Sequence, residues 1–220
     1  MKRFKSAMIC ACCIAAAAAV ASAQRGGMGM RPPMPMGIFT PTVGAGAVYD
    51  ETNQDGSKNT IEYDLIAKDS AGGRDAYWLE FVTNQKMGQM VMKMEIVPGS
   101  DQPALHMIMQ MGSNPPMEMS QMMQRGNSAK PNYDVRNGSQ DLGKESVTTP
   151  AGTFACEHYR SSDGGDTWVS NQVPPFGMVK SVNNGTTLVV SKIVSNAKDK
   201  ITGTPVPFNP QLMMQGMQNQ

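Results

Sequence analysis

From Val43 onward the chain alternates apolar and polar residues with a period of two, broken every ten residues or so by clusters of Gly, Asn, Asp, Ser and Pro. A period of two sends successive side chains to opposite faces of a strand. The pattern predicts strands over residues 43–51, 59–68, 75–83, 89–97 and 104–111. Ile61, Tyr63 and Leu65 share one face of the second, and Tyr77, Leu79 and Phe81 one face of the third. Gln54-Asp55-Gly56-Ser57 and Ala71-Gly72-Gly73 supply the turn residues between them. In the fourth and fifth strands the repeating residue is methionine: Met90, Met92 and Met94, then Met107, Met109 and Met111. The Pro98 to Pro103 link is rich in turn formers and short enough for a hairpin, which lays the two rows side by side.

Residues 116–125 break this period. Pro115 and Pro116 suit a helix start, Gly126 a stop, and Met119, Met122 and Met123 recur at helical spacing, which predicts a short helix. Strand periodicity then resumes over residues 141–147, 154–161, 166–170, 178–182 and 186–194, with an Asn183-Asn184-Gly185 turn before the last. The whole reads as a mainly β (α+β) antiparallel domain over residues 41–200, with about ten strands and one or two short helices.

Composition adds two flanking segments. Residues 24–40, rich in Gly, Pro and Met, and residues 201–220, rich in Met and Gln, are too low in complexity to build a core, and both are expected to be disordered. Ahead of them, residues 1–23 carry Lys2, Arg3 and Lys5, an Ala-rich apolar run and the small residues Ala21-Ser22-Ala23. That order of parts is a secretory leader, so the mature chain is expected in the periplasm or outside the cell. Cys10, Cys12 and Cys13 leave with the leader, and only Cys156 stays, so no internal disulfide forms and the fold depends on its core. No other run is long and apolar enough to span a membrane. The formal charge is +1 before the three cationic leader residues are removed, which leaves no electrostatic footprint for nucleic acid.

Within residues 143–192, three stretches carry a likeness to a known family. They are Gly143 to Tyr159 with its Pro150-Ala151-Gly152-Thr153-Phe154 hairpin, Asp166-Thr167-Trp168-Val169-Ser170, and Val173-Pro174-Pro175-Phe176-Gly177-Met178-Val179-Lys180. Together they resemble the C-terminal half of exported relatives of the periplasmic lipoprotein carriers, the LolA-like superfamily. The resemblance implies an open antiparallel β half-barrel whose concave apolar face is covered by short helices and can hold acyl chains. On that frame the methionine rows, with Tyr63 and Phe81, line the concavity, and the 116–125 segment with Met119 and Met122 is the lid. The methionine load departs from such carriers, which use branched aliphatic and aromatic residues there.

Thioethers pack flexibly against varied apolar shapes, so a Met-lined face suits a lipid, a lipopeptide chain or another hydrophobic ligand. They also bind soft metals, which gives an alternative: a Cu(I) site built from Met28, Met30, Met34 and Met36 of the N-terminal arm, or from Cys156 and His158, which share a strand face. A further alternative is an envelope interaction module whose tails contact a protein partner. Glu51-x-Asn53-x-Asp55-Gly56 approaches a calcium-loop spacing, but its strand-like flanks make it a hairpin turn. No nucleophile elbow, zinc-protease motif or phosphate loop is present, so the expectation is a binding protein rather than an enzyme.

Overall fold

The computed structural model describes residues 37–85, 88–100, 104–121 and 134–211. Twelve strands form one sheet among them: β1 (Ala45–Thr52), β2 (Lys58–Ala71), β3 (Arg74–Gln85), β4 (Gly88–Ile96), β5 (His106–Met111), β6 (Met117–Glu118), β7 (Ser139–Thr149), β8 (Gly152–Ser161), β9 (Asp166–Val169), β10 (Met178–Asn183), β11 (Thr186–Ser195) and β12 (Val206–Pro207). Their spatial order is β12-β6-β5-β4-β3-β2-β1-β11-β10-β9-β8-β7. Consecutive strands pair antiparallel from β1 to β6 and from β7 to β11, and β11 returns to lie beside β1. The sheet does not close on itself: β12 and the mostly exposed β7 are its edges. The fold is mainly β and the sheet open, which fits a half-barrel frame.

Register places the apolar positions in continuous rows. Ala47, Tyr63, Phe81, Met92, Met109 and Met117 are successive cross-strand partners from β1 to β6, and all are at most 5 % exposed. Beside them runs the row Ala45, Leu65, Leu79, Met94, Met107. Alternation puts the next positions on the other face, where Gly46, Asp64, Glu80, Lys93, Ile108 and Glu118 form the matching row. One sheet therefore has an apolar face and a charged face, each set by the period of two.

What covers the apolar face differs from the expectation. No covering helix is present among the described residues. Residues 117–118, placed in a helix by their spacing, are instead strand β6, paired with β5 through Met109 and Met117, and helical geometry begins only at Ser120 and Gln121. The unpaired edge of β5 offers ladder hydrogen bonds that outweigh the weak helical preference of a short polar–Met segment. The cover is irregular chain: Val173 and Phe176, from the loop between β9 and β10, are each 1 % exposed and join the core together with Phe39. Phe176 meets Tyr63 edge-on with ring centres 6.2 Å apart, and Phe39 meets Tyr77 at 5.4 Å. Residues 38–40, assigned by composition to the arm, are held here by Ile38 N–H to Phe176 O and Thr40 N–H to Pro175 O.

The chain beyond β11 is also ordered where composition suggested a tail. Ala197 donates to Gly44 O, Thr202 to Gln110 Oε1 and Val206 to Pro116 O, so residues 197–207 cross the charged face from β1 to β6. There β12 adds to β6 as a parallel strand. The leader, residues 24–36 and residues 212–220 lie outside the described residues.

Candidate functional site

The methionines of β4 and β5 face one another in register: Met90 with Met111, Met92 with Met109, Met94 with Met107. The hairpin expected from the Pro98–Pro103 link thus forms, and it aligns all six thioethers on one face. Four of them, Met92, Met94, Met107 and Met109, are at most 3 % exposed; Met90 and Met111 are partly open at one end of the rows. Tyr63 stacks at a tilt on Phe81 with centres 5.4 Å apart and extends the patch toward Tyr49, 5.8 Å from Tyr63. Met119 is buried in the same core and its N–H donates to Met107 O. Met122 lies outside the described residues. The patch is therefore contiguous, as the sequence implied, and it shares one core with Val173, Phe176 and Phe39, Phe176 lying against its Tyr63 end.

Cys156 and His158 do project from the same face of β8, but they do not converge on a common point of coordination. The Cys156 Sγ lies 3.5 Å from Phe154 O, and burial pushes its thiol up to about 11, so it behaves as a small apolar group at neutral pH. The His158 ring is held on both sides: Nδ1 is 2.9 Å from Glu145 Oε1 and Nε2 is 2.9 Å from Asp166 Oδ1. It stacks on Trp168 at 4.3 Å, Lys180 sits 4.8 Å above the same indole, and the Trp168 Nε1–H donates to Glu145. No group of three or more His, Cys, Asp or Glu among the described residues could hold a metal ion. Met28, Met30, Met34 and Met36 lie outside the described residues.

The opposite face holds a charged cluster that parity alone does not reveal. Asp64 and Glu80 are both fully buried. Lys200 reaches from the crossing segment to Asp64 and to Glu62, 3.4 Å away, while Lys93 pairs with Asp199. Both Glu80 carboxyl oxygens accept from the Lys200 backbone N–H, at 3.0 and 3.1 Å. Burial first, and then the neighbouring Asp199, push the Glu80 carboxyl up to about 8. Parity alone assigns Glu62 and Glu80 to the wet side of the sheet, and nothing local shows that distant residues 197–202 would cover them.

A smaller cleft of about 270 Å³ lies between residues 38–40 and the outer strands, lined by Ile38, Thr40, Lys144, Glu157, Val169 and Asn171 among others. It touches none of the methionine rows.

No protein-family model matches the chain. No curated protein matches it either. Solved structures with a similar fold include a candidate exported protein with a YmcC-like fold from Bacteroides fragilis, 14% identical with a TM-score of 0.38, covering 71% of this chain and 99% of its own. A candidate lipoprotein from Parabacteroides distasonis is 15% identical with a TM-score of 0.37, over 72% and 99% of the two chains. MucB, solved in complex with MucA, is 8% identical with a TM-score of 0.40; the match covers 73% of this chain and 53% of MucB. At these scores no residue role follows from the likeness. Among the described residues no helix is long and apolar enough to cross a membrane.

Proposed function

We propose that the protein is an exported, non-enzymatic binding protein that takes an elongated apolar ligand, such as the acyl chain of a lipid or lipopeptide, on the methionine face of its half-barrel. Export rests on the leader in residues 1–23. One observation carries the ligand reading: the row Tyr63, Phe81, Met92, Met109, Met117 is contiguous across five strands, and among the described residues the core it belongs to takes in the β9–β10 loop and Phe39, irregular chain, with no helix over it. Loops separate from a sheet at lower cost than packed helices or strands do, so Phe176 and Val173 act as a plug that a ligand displaces. The exchange is close to balanced, because ligand carbon replaces phenylalanine carbon against the same thioethers. Affinity then comes from the additional apolar area covered, at about 25 cal/mol per Å² before ordering costs. Methionine flexibility lets chains of different shape fill the space.

The test uses a fluorescent long-chain acyl probe titrated into the mature protein and into the Phe176→Ala variant. Saturable binding by the mature protein, tightened at least about tenfold in Phe176→Ala because the plug no longer competes, is the expected result. Absence of saturable binding in both would overturn the proposal, and Met92 with Met109 would then be core alone.

A further inference from the structure

Residues 197–207 run over the charged face like a strap, and the charges beneath them do not balance. After β11 the chain turns at Asn196, whose φ is 59°, and is fixed in succession by Gly44, Glu80, Gln110 and Pro116. Gln110 also donates to Thr202 Oγ1 at 2.9 Å. The acids that face one another here are Glu62 and Asp64 from β2, Glu80 from β3 and Asp199 from the strap. The cations are Lys93 from β4 and Lys200 from the strap; Lys198 is exposed. Farther along the same face, Glu95 of β4 pairs with His106 of β5 at 3.8 Å.

Four carboxyl groups against two ammonium groups leave an excess of negative charge, and two of the four acids are fully buried. An uncompensated charge in such a place is costly, and the group takes up a proton instead. The geometry says where that proton sits. Asp64 pairs with Lys200 and Asp199 with Lys93, whereas Glu80 forms no ion pair among the described residues: its two oxygens meet the Lys200 backbone N–H beneath the strap. The fully buried acid without an ammonium partner is the one that keeps its proton, and that acid is Glu80. Asp64 is bound by Lys200 through Oδ2, while its Oδ1 is buried without a partner and packs over Gly46, where an added Cβ would come within 1.9 Å of that oxygen.

We propose that residues 197–207 are a proton-locked latch: the proton on buried Glu80 lets the strap lie against the sheet, and its loss releases the strap together with β12. The consequence for binding rests on the ligand reading given above. Val206 and Phe208 pack against the core cluster at the edge where Val206 pairs with Met117, so release uncovers the β6 end of the methionine face. Glu80, raised to about 8 by burial and by Asp199, sets the range in which the lock opens. The latch is closed in acid and opens as pH rises.

Hydrogen exchange on the full mature chain tests this. After correction for intrinsic rates, the opening of amides in residues 197–206 should rise at least about tenfold between about pH 6 and about pH 9, while amides of the β2–β3 ladder stay constant. Glu80→Gln keeps a hydrogen-bonding side chain that cannot ionise and should abolish the rise. Should that variant fold poorly, Asp199→Asn at the partly exposed partner removes the neighbouring acid and should shrink the rise while leaving the ladder intact. A flat wild-type profile, or an equal rise in either variant, would overturn the latch. The acyl probe separates the two ideas: strap opening without probe binding at either pH removes the ligand reading and leaves the latch standing.

Discussion

Met109 is fully buried between Met92 on β4 and Met117 on β6, so its thioether has sheet neighbours on both sides and the aromatic plug above the same face. Truncation there leaves a void that neighbouring methionines fill only in part. Met109→Ala should cost about 2–4 kcal/mol in chemical denaturation, whereas Met109→Leu, close in volume, should cost less than about 1.5 kcal/mol. A similar cost for both would mean that the sulfur, rather than the packing volume, holds the site. The same residue shows what parity can and cannot say. Period two alone is enough to place all six thioethers on one face, because the period is a property of the backbone. It cannot say that Phe176, far along the chain, lies against that face. His158 repeats the lesson: its shared face with Cys156 is legible, but the Glu145 and Asp166 carboxylates that hold its ring come from β7 and β9 through pairings no local pattern encodes.

At the scale of elements, the hairpins are where sequence and structure agree most closely. Asn184 and Gly185 join β10 to β11 with φ of 49° and 78°, the left-handed pair that a tight two-residue turn requires. Gly185→Ala should lower stability by about 1–3 kcal/mol in thermal denaturation, because its Cβ adds backbone strain and comes within 2.9 Å of the Gln54 side chain. Asn184→Gly, which only relaxes the same turn, should be near neutral. Unequal effects in the opposite order would mean that the turn does not set the register of β11 against β10. Glycine and asparagine at such turns are readable because the conformational demand is local. The segment from Met117 is the complementary case: its helical spacing is a weak local preference, and β5 supplies an open edge that only the assembled sheet reveals. The strap is hidden in the same way. Composition marks residues after 200 as tail-like, while Thr202 and Val206 are fixed by Gln110 and Pro116, far earlier in the chain.

For the molecule as a whole, the two faces of the sheet imply an unusual dependence of stability on pH. Most carboxylates with resolved shifts are held low by partners: Asp134 by Arg136, Asp166 by Arg160 and His158, and Asp199, against the opposing effect of burial, by Glu80 and Lys93. Their contribution is present above the ordinary aspartate value and lost as pH falls, and it is modest for the exposed ones because solvent screens them. Glu80 has the opposite sign. Its folded value is near 8 against an ordinary 4.5, so its contribution is whole below about 4.5, declines through neutrality and is gone above about 8. Glu62, also raised by burial and by Asp64, adds in the same direction. Stability should therefore peak in mildly acid solution and fall steadily toward pH 8, rather than hold level across neutrality. Thermal midpoints measured between about pH 4 and pH 9 check this, and Glu80→Gln should flatten the alkaline limb while sparing the acid one. A wild-type profile that is level from pH 5 to pH 8 would mean that Glu80 ionises freely beneath the strap, and the charged face would then be held by Lys200 and Lys93 alone.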